Sequence, residues 1–365
     1  MTLGVFLAIG ESLTDFRNKG HLSRLINYNI HAYSKAFEKV YIFSYKNEKG
    51  FPLPKNCHLV PAAPKLHRYL YALLLPILKR HKILECDVFR GLQITGGIPA
   101  LIAKILFGKK YLINYGYDYP KFAIMEDKPI QSALFKLIES PIIKFADDVI
   151  VTSSEIRKKL IRKYQLKKIH LIPNGVDLKL FRKMKFKKNL SLKVVYIGRL
   201  ERQKNLESLI RAISALKNTK ATFYGAGSLK GKLEALGREL SVNLQINKPV
   251  TYKIVPKVLN ETDIFVLPSL EEGNPKVLLE AMACQTCVIG SNVQGIKEII
   301  TDKYNGILTG VDSASISKAL KKLSNVKLRE RLAKNAREFV TKFYDINILL
   351  SKEIDLLKKM AAENE

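Results

Sequence analysis

The sequence predicts an α/β protein made of two parallel-sheet units in tandem, and three observations carry that expectation. Short β-rich runs alternate with helical runs almost throughout the chain, the pattern of parallel strands joined by helical crossovers. The alternation breaks once, at IPNGVDLKLFRKMKFKKN, where an Asn-Gly turn and a cluster of lysines read as a linker over residues 173–190. It then starts afresh. A length of 365 residues with 47% apolar content suits two domains, each burying its own core.

In the first unit, strands are expected at TLGVFLAI, KVYIFSY, DVFRGLQ, KYLINY, DDVIVT and KIHLIP, with helices near residues 21–38, 97–107, 131–145 and 155–164 between them. In the second, LKVVYIGRL, ATFYGAG, VNLQIN, DIFVLP and TCVIGS read as strands. The last forty residues, including INILLSKEIDLLKKM, have helical periodicity and no strand. The domains are thus expected at 1–172 and 191–345, with a final helix at 346–365.

The net charge of +29 favours polyanionic company such as nucleotides, phosphorylated substrates, anionic lipid surfaces or nucleic acid. The excess is spread along the chain: residues 1–172 hold 28 Lys+Arg against 13 Asp+Glu, a net of +15 that leaves +14 for the rest. No zinc finger, aromatic RNP signature or basic recognition helix accompanies it, so nucleic-acid binding is the weaker reading. No apolar run reaches bilayer-spanning length, and MTLGVFLAIG lacks a basic start and a cleavage site, so the expected location is cytoplasmic. Of four cysteines only Cys284 and Cys287 are close, and one C-x-x-C with no second pair reads as structural.

Open parallel sheets bind ligands beyond the carboxyl ends of their strands. Three such loops in the second unit carry chemistry. GRLERQKN offers Arg199 and Lys204, a guanidinium fork and a mobile ammonium suited to clamping a pyrophosphate, or else a solvated helix start. GAGSLKG holds Gly225 and Gly227 but is one residue too long for a dinucleotide fingerprint, and reads as a tight turn near a nucleotide. EEGNPKVLLEAMAC, residues 271–284, sets Glu271 and Glu272 before a Gly273 corner. There Asn274 is expected to cap a helix that begins at Pro275. Glu280 interrupts the apolar run of that helix, so its carboxylate faces either a satisfied polar network or a ligand. Helix-end N–H groups beside Glu271 and Glu272 suit an anionic or hydroxyl-rich ligand, and the plainer alternative is a capped helix with a tolerated glutamate.

GRLERQKN, GAG and above all EEGNPKVLLEAMAC, followed by QGIKEIITDKYNGILT, resemble the C-terminal half of the family-4 retaining glycosyltransferases of the GT-B fold. IPNGVDLKLF resembles their linker, and Glu272 and Glu280 meet their E-x7-E motif. The resemblance implies two Rossmann-like domains facing across a cleft, with the C-terminal helix returning to the first. It implies transfer of a sugar from a nucleotide-sugar to an acceptor hydroxyl with retention. Arg199 and Lys204 would then hold the donor diphosphate, Glu272 the sugar hydroxyls and Glu280 the ribose. Backbone around Gly273, Asn274, Lys276 and Val277, with Gly225 and Gly227, would complete the donor pocket. Fixed cations and a helix N-terminus meet the charge of a departing diphosphate, so no metal or other cofactor is expected. No Asp-x-Asp is found.

The first domain is expected to bind the acceptor, a sugar, lipid-linked or polysaccharide hydroxyl. GESLTDFRNKGHL offers Gly20 as the family's diphosphate-side glycine, although the usual double glycine is missing. Where the family often has a histidine, INYGYDYP places Tyr115 and Asp118, and a buried core tyrosine is the plain alternative. KLHRYLYALLLPILKRHK, residues 65–82, flanks an apolar run with Lys65, Arg68, Lys79, Arg80 and Lys82. It suits an interfacial helix on an anionic membrane or a core helix with snorkelling ends. The competing functions are a GT-B nucleotide-sugar epimerase and a basic RNA- or lipid-binding protein with a degenerate sugar-nucleotide site.

Overall fold

The computed structural model describes every residue except 63–65, 117, 126, 167, 187–190 and 364–365. Lys65, one of the expected flanking cations, lies outside the described residues. The chain divides into two units, Met1–Pro173 with Asn347–Glu365, and Asn174–Ile346. From Asn174 on, the described residues of the expected linker belong to the second unit, and Val176 and Phe181 are buried in its core, so this stretch is packed structure rather than a free connector.

The first unit is built on seven parallel strands: β1 (Thr2–Phe6), β2 (Lys39–Phe43), β3 (Cys57–Val60), β4 (Val88–Gly91), β5 (Lys110–Tyr115), β6 (Asp148–Val151) and β7 (Ile169–Leu171). Their spatial order is β3-β2-β1-β4-β5-β6-β7. Central strands are buried along their length, as the near-continuous apolar runs VFL, YIF and LIN predict for a sheet covered on both faces. β3 was not expected. CHLV is only four residues long, and its one exposed and one half-buried position dilute the apolar signal.

A doubly bonded pair deep in this unit ties its last helix, Ile346–Ala362, to the sheet. Arg90 on β4 donates through Nε to Glu353 Oε1 at 2.7 Å and through Nη2 to Oε2 at 3.2 Å. Tyr33 donates its hydroxyl to the same carboxylate, and Arg90 also reaches Asn114 Oδ1 at 3.2 Å. Leu349, Leu357 and Met360 of that helix are buried with Leu3, Val5 and Ile42. The final helix is therefore a core element of the first unit.

The second unit carries six parallel strands: β8 (Leu192–Ile197), β9 (Thr219–Tyr224), β10 (Leu244–Asn247), β11 (Ile264–Leu267), β12 (Cys287–Ser291) and β13 (Ile307–Thr309). Their order is β10-β9-β8-β11-β12-β13. The short β13 was not expected, because ILT is three residues behind an Asn-Gly turn signal. Connections leave β8 and β11 in opposite directions, so the loops after these two strands flank the switch point at which α/β sheets bind ligands. Pairing between them ends at Phe265 opposite Val195, two residues short of both carboxyl ends. All four cysteines are buried and free. Burial pushes the thiols of Cys284 and Cys287 up to about 12.

Candidate functional site

The loop after β8 turns at Gly198 and sends Arg199 outward, while Leu200 folds back into the core. A short 3-10 turn, Arg202–Lys204, then reverses the chain. Asn205 ends this turn in the left-handed region, with φ of 53°, where asparagine is among the few tolerated side chains. Its Nδ2 donates to Pro268 O at 3.1 Å and Val311 O at 2.7 Å, which fastens the loop after β8 to the segments after β11 and β13.

Across that fastening, Lys204 Nζ meets Glu272 Oε1 at 2.6 Å, with side chains only 13% and 10% exposed. Ser269 Oγ donates to the same carboxylate oxygen at 2.7 Å. Gln203, which the sequence reading did not single out, lies buried between the two loops. Its Oε1 accepts from Arg199 Nη2 at 3.0 Å, its Nε2 donates to Glu271 O at 2.7 Å, and its own carbonyl accepts from Leu270 N at 2.8 Å. A buried side-chain amide using both ends in this way sets the position of the Arg199 guanidinium. Burial, and then the negative charge of Glu272, hold the Tyr196 hydroxyl well above its ordinary pKa. It remains a neutral donor to Arg199 O at 2.7 Å. Arg199, Lys204 and Glu272 thus share one rigid pair of loops.

The helix after the glutamate corner spans Lys276–Ala283, so it starts one residue later than the spacing predicts. Pro275 occupies the cap position with no side-chain cap bond. Asn274 is spent elsewhere: its Oδ1 accepts from Asn174 N at 2.9 Å and its carbonyl accepts from Asn174 Nδ2 at 2.7 Å. Tertiary pairing with a residue one hundred positions away has displaced local capping. Asn274 Nδ2 is buried without a hydrogen-bond partner among the described residues. Lys276 is exposed and Val277 half-buried in the first turn, and Glu280 is buried in the second.

The glycines of this region answer to close backbone approach. A Cβ on Gly225 would stand 1.9 Å from Gly198 O, and one on Gly227 would stand 2.3 Å from Leu200 O. The GAG turn is therefore pressed against the loop that carries Arg199. Gly295, in QGIKE, performs the same service for the glutamate corner, since its Cβ would come within 2.2 Å of Gly273 O and 2.5 Å of Glu272 O. Its signal in the sequence was a lone glycine among helix formers. Gly225→Ala is expected to destabilise the protein by at least about 1–3 kcal/mol, because backbone must move to admit the methyl group. Urea unfolding measures this, and wild-type stability in the variant would show that the turn yields freely.

Two family models match consecutive stretches of the chain, Glycosyltransferase Family 4 over residues 20–180 and Glycosyl transferases group 1 over residues 179–339. The chain belongs to the family-4, group-1 glycosyltransferases. This family-4 chain is 28% identical over 264 residues to the N-acetylgalactosamine-N,N'-diacetylbacillosaminyl-diphospho-undecaprenol 4-alpha-N-acetylgalactosaminyltransferase of Campylobacter jejuni, with 68% of the chain and 70% of that protein covered. It spans 66% of the length of another curated relative. Among solved structures it superposes on sucrose-phosphate synthase from Thermosynechococcus elongatus with a TM-score of 0.83 at 19% identity, covering 100% of both chains. It superposes on Anabaena HepE in complex with UDP-glucose with a TM-score of 0.76 at 14% identity, covering 98% of this chain and 99% of that one. The fold is GT-B, with two Rossmann-like parallel-sheet units.

The remaining candidates of the family-4 chain lie in the first unit. Gly20 follows the helix Leu13–Asn18 with φ of +72°, a left-handed turn that favours glycine, and a Cβ there would meet nothing within 4 Å. Tyr115 is fully buried, and its hydroxyl donates to Glu139 Oε2 at 2.7 Å. Glu139 is 1% exposed and also accepts from Tyr164 at 2.8 Å and Lys163 at 2.9 Å. Tyr115 is accordingly part of a satisfied core network. Asp118 pairs with Lys159 and accepts from Lys121 N at 3.2 Å at the start of the helix Tyr119–Met125.

Proposed function

We propose that this protein is a retaining, metal-independent glycosyltransferase that moves a sugar from a nucleoside-diphosphate donor to a hydroxyl of a lipid-linked acceptor. The observation that carries the reading is the contact between Lys204 and Glu272 at the β8/β11 switch point, with Arg199 held in the same loop by Gln203. An ammonium has three N–H donors, and Glu272 engages one, so Lys204 offers the others to phosphate oxygens. In this reading Arg199 and Lys204 stabilise the charge that develops as the diphosphate departs. Glu272 accepts from hydroxyls of the donor sugar, and Glu280 from the ribose. The helix Lys276–Ala283 starts behind Pro275, which makes no side-chain cap bond, and in this reading its N-terminal end faces the anion. Asn274 Nδ2, a buried donor lacking a partner among the described residues, is the kind of group that a ligand satisfies.

Two further points support the finer assignments. The Campylobacter relative bears the name of an enzyme acting on a diphospho-undecaprenol, which favours a lipid-linked acceptor here. Likeness to a family with retaining chemistry favours retention, and two fixed cations where the leaving group forms make a metal unnecessary.

Thermal-shift measurements with UDP, GDP, ADP and their sugar conjugates test the donor site. One nucleotide family is expected to raise the melting temperature, with stabilisation approaching about 2.7 kcal/mol at a hundredfold excess over Kd. Glu280→Ala should lose most of that shift, and EDTA should leave it intact. If no nucleotide stabilises the wild-type protein at millimolar concentration the donor assignment fails, and loss of the shift in EDTA would end the metal-independent part.

A further inference from the structure

Three helices of the first unit lie side by side: Arg68–Leu78 packs on Gln93–Phe107, which packs on Pro129–Lys144. Each is amphipathic in an unusual way. The inner residues, such as Tyr71, Leu75, Ala100, Ala103, Ile142 and Ile143, are buried in the core. The outer side chains, however, are also largely apolar. Ile130 is 86% exposed, Leu137 73% and Ile105 68%, and Leu73 and Ile77 are about half exposed. Ile130, Leu134 and Leu137 follow an i, i+4, i+7 spacing, one stripe of a helix, and Leu73 and Ile77 form a second. Monomeric proteins rarely present apolar surface of this extent without an occupant for it.

On the three helices themselves the exposed charges have one sign, with exposed Asp127 and Glu85 in the segments beside them. The three helices hold a single carboxylate, Glu139, and it points inward to Tyr115, Tyr164 and Lys163. Exposed cations Arg68, Arg80, Lys121, Lys128, Lys136 and Lys144 stand on or beside the same helices. Such a surface pairs badly with a second copy of itself, since an isologous contact would set cations against cations. An RNA backbone would satisfy the cations and leave the leucine and isoleucine stripes in water. A bilayer with anionic headgroups satisfies both, because apolar side chains enter the acyl boundary while lysines and arginines remain among the headgroups. Among the described residues no helix is long and apolar enough to cross a membrane.

We propose that the outer face of these three helices docks the protein on an anionic phospholipid bilayer. The face lies in the first unit and does not depend on the donor assignment, so either can fail without the other. It also widens the reading of residues 65–82: the helix Arg68–Leu78 is both a core helix, through Tyr71 and Leu75, and part of an apolar outer face.

The full chain is sedimented with vesicles of phosphatidylcholine alone and of phosphatidylcholine mixed with phosphatidylglycerol. It should pellet with the anionic vesicles, weakly with the neutral ones, and less as salt is raised. Ile130→Asp with Leu137→Asp, both highly exposed positions, should lower the bound fraction severalfold while circular dichroism and melting temperature stay at wild-type values. Lys136→Glu with Lys144→Glu should weaken the preference for anionic lipid. The chain has no tryptophan, so Leu137→Trp supplies a single probe whose emission should shift to the blue with anionic vesicles. The proposal is overturned if the wild type fails to pellet with anionic vesicles, or if the aspartate variant pellets like the wild type. It is equally overturned if the tryptophan does not respond, or if the protein is a dimer that the aspartate variant separates.

Discussion

Lys204→Ala is expected to slow sugar transfer by about 10²–10³-fold, the usual consequence of removing one preorganised charge from a site where charge develops. The effect should fall mainly on turnover. In the proposed site, donor binding would retain Arg199, Glu280 and the helix N-terminus, so the nucleotide thermal shift should weaken without vanishing. The substitution also strands Glu272, a carboxylate only 10% exposed, with the Ser269 hydroxyl as its partner in the loop. Some loss of stability should accompany the loss of activity. The double variant Lys204→Ala with Glu272→Gln separates the two effects: it should recover much of the stability and none of the turnover. Near-wild-type turnover in Lys204→Ala would remove the leaving-group role from this residue.

Glu353→Ala should have the largest effect on folding, a loss of about 3–5 kcal/mol, because it leaves the Arg90 guanidinium buried without its doubly bonded partner. Replacing both by apolar residues of similar size, Arg90→Met with Glu353→Leu, should cost far less, since the pair's attraction largely offsets its own desolvation. Chemical denaturation of the three proteins reads the difference, and equal stability of the single and double variants would deny that the unpaired charge is responsible. The same pair predicts a pH dependence. Burial pulls the Glu353 carboxyl upward, but Arg90 and the hydroxyl of Tyr33 outweigh it, and the net shift is below the ordinary value of 4.5. A carboxylate with a depressed folded pKa contributes stability that is present above the unfolded pKa and lost as pH falls through the folded one. The wild-type melting temperature should therefore drop below about pH 4.5 more steeply than that of Glu353→Gln.

Most strands and long helices were legible because buried parallel strands leave apolar runs and crossover helices leave a 3.6-residue period. The exceptions are instructive. β3 and β13 are too short to sustain a period, and they exist because a neighbouring strand offers its free edge. Residues 173–190 looked like a linker from their lysines and Asn-Gly turn, yet Val176 and Phe181 are core residues of the second unit. Composition averages over such a stretch, whereas burial depends on two side chains in it. At the corner, Asn274 had the right chemistry for a cap, and the structure directs that chemistry to Asn174 instead. Local rules rank what a residue can do, and a distant partner selects among the options.

For the site, position beyond strand ends brought Glu271, Glu272, Arg199 and Lys204 under suspicion and an apolar helix brought Glu280; the family resemblance chose Glu272 over Glu271, and the fold puts the loops bearing Lys204 and Glu272 side by side. Gln203 escaped notice because a glutamine between two cations carries no pattern; only its buried bonds to Arg199 and the Glu271 carbonyl reveal its positioning role. Gly295 escaped for a related reason, since close approach to the Glu272–Gly273 backbone is visible only when the two loops are brought together. Tyr115 stood open between an acceptor-side group and a core residue, and its bond to the buried Glu139 is a fact of packing that no window of sequence contains.

Periodicity, turn residues and the glutamate corner determined by themselves that this chain forms two parallel sheets and carries its polar chemistry at their strand ends, because those signals act over a few residues and survive any arrangement of the rest. Contacts across large separations in the chain decided the remainder: the Lys204–Glu272 pair at 68 positions apart, the Arg90–Glu353 pair at 263, and a cationic apolar face assembled from three separate helices. Side chains that meet only after the chain has closed on itself leave no spacing to read, and their energies belong to the folded state alone.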